Sequence, residues 1–69
     1  MRVRGVVTNF DESRGDGLIT GVSGELFYFH CVAIRDGSRH IDVGTSVSAR
    51  RTVGHLGEDE ASDVTGDAT

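Results

Sequence analysis

The chain has 69 residues and a formal net charge of −4, which fits one small domain and leaves no room for a second. A single cysteine excludes an internal disulfide, and no apolar stretch approaches the ~20 residues that a membrane span requires. No signal peptide, metal site or cofactor site is indicated, and no nucleophile lies beside a plausible base. We therefore expect a cytoplasmic monomer without a cofactor that is not an enzyme.

The charge is distributed unevenly along the chain. Residues 58–69 hold five of the eleven acids and no basic residue, so residues 1–57 carry seven arginines against six acids, a net charge of about +1. The strongly basic surface that marks many nucleic-acid-binding proteins is therefore missing. Its absence argues against binding along the phosphate backbone of a nucleic acid, although proteins that bind by stacking on bases need less charge.

Short runs of β-branched and aromatic residues, separated by turns rich in Gly and Asp, predict five strands. The predicted strands cover residues 2–10, 17–20, 26–31, 46–53 and 60–64. The third strand is followed by one short helical turn over residues 32–34, and the fifth is polar enough to lie at a sheet edge. We expect one domain over residues 1–65 and a flexible tail over residues 66–69.

The strand order favours a small barrel. Five short strands with the longest connection after the third fit a Greek-key barrel of the oligonucleotide/oligosaccharide-binding (OB) type, and an SH3-like barrel is the alternative from pattern alone. Along the third strand, the period-two alternation places Tyr28 and His30 on one face. Phe27 and Phe29 face the other way, and we interpret them as core residues.

Two segments resemble the nucleic-acid-binding motifs of the cold-shock domain family. Residues 14–19, Arg-Gly-Asp-Gly-Leu-Ile, resemble the family motif K-G-F-G-F-I, and residues 26–30, Leu-Phe-Tyr-Phe-His, resemble V-F-V-H-F. The resemblance extends over residues 4–64. It implies an all-β, five-stranded Greek-key OB-fold barrel that binds single-stranded RNA or DNA.

The resemblance also implies which residues contact the nucleic acid. These positions are Phe10, Arg14, Leu18, Tyr28, His30 and Arg39. In the family, aromatic side chains on the sheet of the first three strands stack on bases. We therefore expect Phe10, Tyr28 and His30 to point together toward solvent.

Several aromatic residues of the family are replaced in this chain. The replaced positions are Asn9, Asp16, Leu18, Cys31 and Ser38. At about 1 kcal/mol for each lost stacking contact, the loss of only four of these five contacts costs about 4 kcal/mol, near a thousandfold in affinity. Asp16 also adds a carboxylate where a phosphate would pass, and like charges repel.

Two functions follow from this pattern. The first is weak and little sequence-selective binding of single-stranded nucleic acid, as in an RNA chaperone or a regulator of gene expression. The second is a barrel that has become a protein-interaction or regulatory module. Asn9, Asp16 and the acidic residues 58–60 favour it, because acidic groups on the binding surface suit a basic protein partner.

Overall fold

The computed structural model describes residues 2–35, 40–53 and 59–66, which form five strands and one 3-10 turn over Cys31–Ala33. Every strand lies within two residues of its predicted bounds. The strands are β1 (Arg2–Asp11), β2 (Asp16–Gly21), β3 (Leu26–His30), β4 (Ser46–Val53) and β5 (Asp59–Gly66). The predicted all-β, five-stranded OB-type barrel is confirmed.

The strands close into a barrel in the order β1-β2-β3-β5-β4. β5 pairs with β4 along most of its length and with β3 through one parallel pair, Tyr28 with Glu60. The prediction that the fifth strand lies at an edge is therefore wrong, because closing the barrel gives β5 a partner on both sides. β5 also includes Gly66, the first residue of the predicted tail. Residues 67–69 and the predicted loop over 54–57 lie outside the described residues.

The barrel interior holds the residues that the strands turn inward. Phe27 and Phe29 are each 1% exposed, which confirms their predicted place in the core. Period-two alternation then sends Tyr28 and His30 outward. The buried apolar residues are Val7, Ile19, Phe27, Phe29, Ile34, Ile41, Val47, Ala49, Ala61 and Val64.

A β-bulge interrupts β1 and changes the direction of its last residues. Val7 pairs with Ile19 but Asn9 pairs with Leu18, so Thr8 is an extra residue in the ladder. An extra residue reverses the faces of all later side chains in a strand. Phe10 therefore lies opposite Gly17 on the inner side, although uninterrupted alternation from Val7 would place it outside.

Gly17 on β2, opposite the bulged end of β1, is a position without room for a side chain. A Cβ there would collide with the carbonyl oxygen of Asn9 and would lie 3.1 Å from Cε1 of Phe29. We expect Gly17→Ala to lower the free energy of unfolding in urea by about 1–3 kcal/mol through overpacking. Gly66→Ala is the control, because the nearest atom to its Cβ is Cγ2 of Thr45 at 4.0 Å. Equal stability of the two variants would contradict this account of the packing.

Candidate nucleic-acid interface

The outer side of β2 and β3 carries a compact group of four side chains, which we call the motif face: Asp16, Leu18, Tyr28 and His30. Asp16 pairs with His30, and Leu18 pairs with Tyr28, in the antiparallel ladder. Side chains directly opposite each other in such a ladder lie about 5 Å apart at Cβ. Three of the six predicted contact residues are therefore brought together.

Tyr28 is held in place by Asp16. Its hydroxyl donates a hydrogen bond to Oδ2 of Asp16 at 2.8 Å, a diagonal contact across the ladder. This hydrogen bond is the main reason why the pKa of Tyr28 is raised, because the carboxylate stabilises the neutral phenol. Asp16 therefore orients the one tyrosine of the motif face.

Arg14 pairs with the same carboxylate. Its Nη2 lies 3.1 Å from Oδ2 of Asp16, and the side chain of Arg14 is 71% exposed while that of Asp16 is only 14% exposed. The charge that Asp16 adds to the surface is thus offset by a neighbouring guanidinium. Arg14 remains open to solvent at the rim of the motif face, where its other donors can reach a ligand.

His30 lies at the end of β3, where the chain turns into the 3-10 segment. Its Nδ1 accepts a hydrogen bond from the backbone N–H of Val32 at 3.4 Å and so caps the 3-10 turn. A neutral imidazole that accepts at Nδ1 carries its proton on Nε2. The exposed ring therefore keeps one donor for a ligand.

Phe10 does not join the motif face, so the expectation that it points outward with Tyr28 and His30 is wrong. Its ring stacks on Phe29 with the centroids 5.9 Å apart and the planes 14° apart. The bulge at Thr8 is the cause, because it turns Phe10 to the inner side. Phe10 is only partly buried, and it packs against the core cluster. Arg39, the remaining predicted contact, lies outside the described residues.

The sequence pattern places the acidic residues 58–60 on the binding surface, but it does not identify which side chains of β3 and β5 lie beside Tyr28. Leu18, Leu26, Tyr28 and Asp59 line a depression of about 380 Å³. Glu60 pairs with Tyr28 across the barrel seam. No local pattern signals these neighbours, because they meet Tyr28 only when the barrel closes.

His40 is a second residue that the sequence did not single out. Its ring meets the edge of Phe10 with the centroids 5.8 Å apart and the planes 88° apart. Its Nδ1 lies 2.6 Å from Oε1 of Glu12, and its Nε2 lies 3.0 Å from Oδ1 of Asp42. His40 thus links the turn after β1 to the segment before β4 and covers part of the Phe10 ring.

Within residues 2–35, 40–53 and 59–66, no cluster of three or more His, Cys, Asp or Glu side chains is arranged to hold a metal ion. The same residues include no helix with the length and apolar character that crossing a membrane requires.

Comparison with known proteins supports the fold. No protein-family model and no curated protein sequence matches the chain. The solved structure of Drosophila Unr CSD456 is similar, with a TM-score of 0.81 and 22% sequence identity. The similarity covers 99% of this chain and 27% of that chain. The chain therefore has the fold of a cold-shock domain, as its two motifs predicted.

The contact between Tyr28 and Asp16 can be measured directly, because the chain has one tyrosine and no tryptophan. We expect Asp16→Asn to lower the pKa of Tyr28 toward its ordinary value of 10.0 in an ultraviolet titration of the phenol. Glu60→Gln is the comparison variant. It should lower the pKa less, since Glu60 acts only through its charge and is the weakest contributor. Equal shifts in both variants would argue against the hydrogen bond.

The position of His40 predicts a pH-dependent stability. The pKa of His40 is raised above its usual 6.5, mainly by the hydrogen bond to Asp42. The negative charge of Glu12 raises this pKa further. A histidine whose pKa is higher in the folded state than in the unfolded state stabilises the fold. This stabilisation is complete at pH values below the unfolded-state pKa, and it is lost as the pH rises through the folded-state pKa. We expect His40→Gln to be less stable in urea than the parent at about pH 5.5, with a smaller difference at about pH 8.5. A difference that does not vary with pH would refute this role.

Proposed function

We propose that the protein binds single-stranded nucleic acid, RNA or DNA, weakly and with little sequence selectivity, through the motif face. The observation that carries the proposal is the grouping of Leu18, Tyr28 and His30 on the outer side of a cold-shock barrel, with Arg14 at the rim. No catalysis and no cofactor are required. In this proposal the protein acts as a cytoplasmic monomer.

The chemistry of the motif face fits unpaired bases. Aromatic rings offer a surface on which any base can stack, and Leu18 supplies an apolar neighbour directly opposite Tyr28. The exposed guanidinium of Arg14 can hold a phosphate or stack on a base while its Nη2 remains near Asp16. These contacts recognise features that all nucleotides share, so little sequence selectivity is expected.

The number of aromatic rings on the motif face determines the expected affinity for a single strand. Stacking on a ring contributes ~1–3 kcal/mol per base, so two rings contribute ~2–6 kcal/mol, which corresponds to dissociation constants from tens of millimolar to tens of micromolar. Weak and unselective contacts of this kind suit an RNA chaperone or a regulator of gene expression that must release its strand quickly.

Two substitutions at Tyr28 test the proposal. We expect Tyr28→Ala to weaken binding of a labelled pyrimidine-rich strand about 5- to 150-fold at low salt, because a stacking ring is lost. Tyr28→Phe keeps the ring and loses only the hydroxyl, so it should bind nearly as the parent does. Fluorescence anisotropy measures the affinities, and circular dichroism verifies that both variants fold. No binding by the parent up to millimolar concentration, or equal binding by all three proteins, would refute the proposal.

A second candidate function is binding of a basic protein segment. The observation that favours it is the acidic surround of Tyr28, formed by Asp16, Asp59 and Glu60. An arginine or lysine of a partner could lie over the tyrosine ring in a cation–π contact, with carboxylates beside it.

An arginine-containing peptide separates the two candidates. If it shifts the resonances of Tyr28 and a single-stranded oligonucleotide does not, the basic protein partner is favoured. Competition between peptide and oligonucleotide for the same resonances would show that both use the motif face.

A further inference from the structure

A second group of charged side chains lies on the outer side of β1, β4 and β5, away from the motif face. We call it the arginine face, and it consists of Arg2 on β1, Arg50 on β4, Asp63 on β5 and Arg35 just after the 3-10 turn. Arg2 and Arg50 are direct partners across the β1–β4 ladder. Two of the seven arginines thus pair with Asp63. The third, Arg50, lies opposite Arg2 and lines the same depression as Asp63.

Asp63 is shared by two of these arginines. Its Oδ2 lies 2.8 Å from Nη1 of Arg2, and its Oδ1 lies 2.9 Å from Nη1 of Arg35. Arg50 has no carboxylate within ion-pair distance among the residues that the structure describes. Three positive charges against one negative charge leave the arginine face with a net charge of about +2.

This excess of positive charge is unfavourable without an anion. Like charges directly opposite each other in an antiparallel ladder repel, and Arg2 and Arg50 occupy such a pair. One carboxylate cannot neutralise three guanidinium groups. A bound polyanion would offset the repulsion, and guanidinium groups match phosphate oxygens with two parallel donors.

The shape of the arginine face suits a chain better than a single ion. Two depressions of about 550 and 510 Å³ meet at Arg35 and Asp63. Arg2 lines the first and Arg50 lines the second, and both include the apolar side chain of Ile34. A groove with cations along it and apolar groups between them can hold phosphates and sugars in succession.

The groove is also close to the motif face along the chain. Four residues lie between His30, at the end of β3, and Arg35, so the two Cα atoms are at most about 18 Å apart. Val32, which lines the second depression, lies between them and is 68% exposed. A strand that leaves the motif face beside His30 can therefore reach the arginine face within about 18 Å.

We propose that the arginine face is a second contact surface for the same single strand, and that it binds phosphates of the nucleotides that extend beyond the motif face. The inference rests on the proposed function, since it needs a strand bound at the motif face. Under this inference, the two surfaces contact different parts of the strand. The motif face, with its acidic neighbours Asp59 and Glu60, contacts bases, and the arginine face supplies most of the electrostatic attraction.

The dependence of binding on salt tests this division. Each phosphate contact on a single strand adds about −0.7 to the slope of log Kobs against log salt. For a labelled strand of about 16 nucleotides, we expect Arg50→Gln to reduce the steepness of this slope by about 0.7 and to weaken binding at low salt. Arg50→Lys keeps the charge on the same strand and should retain the parental slope.

A substitution at Asp63 should act in the opposite direction. Asp63→Asn removes the carboxylate that occupies Arg2 and Arg35, so we expect tighter binding and a slope steeper by up to about 1.4. Asparagine tolerates the left-handed backbone of this position, where φ is 53°. Glu25→Gln is the control, because it makes the same change in net charge in the β2–β3 turn. It should leave the slope close to that of the parent.

The outcomes separate the inference from the function on which it rests. If Tyr28→Ala weakens binding while Arg50→Gln and Asp63→Asn keep the parental slope, the arginine face is not a phosphate-binding surface and the motif face stands. If Asp63→Asn and Glu25→Gln tighten binding equally, only net charge matters and the inference is overturned. If the parent binds no strand at low salt, both the inference and the proposed function fall.

Discussion

The register between β2 and β3 is the constraint on which the rest of the structure depends. Because Leu18 is paired with Tyr28, the next pair along the ladder joins Ile19 to Phe27 and must face the other way. The inward pair is almost fully buried, and burying one such side chain stabilises a fold by roughly 1.5–3 kcal/mol. A slip of one residue would exchange the two faces, so packing of the core and composition of the motif face are determined together.

The bulge at Thr8 adds a second constraint that changes the candidate site. It lets Phe10 fill space above Gly17 and stack on Phe29, which places an aromatic ring of the first motif region in the packing of the barrel. His40 then closes over the edge of that ring. The chain therefore has a smaller stacking surface than its sequence suggests, and the rings on the motif face are those of Tyr28 and His30.

The sequence predicts the parts of this structure that depend on local pattern. Alternation along β3 correctly separates Tyr28 from Phe27, and the two motifs correctly predict the fold. A single extra residue at Thr8 has no comparable signature, so the direction of Phe10 could not be predicted. The neighbours that Asp59 and Glu60 provide for Tyr28 depend on the one parallel pair at the β3–β5 seam, which forms only when the whole barrel closes. The pairing of Asp16 with Arg14 was missed for a similar reason, since it depends on where the turn after β1 places the arginine.

The two outer surfaces of the barrel differ in what they offer a ligand. The motif face has rings and one exposed arginine beside several carboxylates, whereas the arginine face has cations in excess and no aromatic side chain among its members. Bases and phosphates are likewise the apolar and the anionic parts of one strand. The most direct test of the central claim is to follow the backbone amide resonances of the unmodified protein during titration with a short pyrimidine-rich strand. We expect the largest shifts at Leu18, Tyr28 and His30. Binding that leaves these three resonances in place, with shifts only on other strands, would contradict the claim.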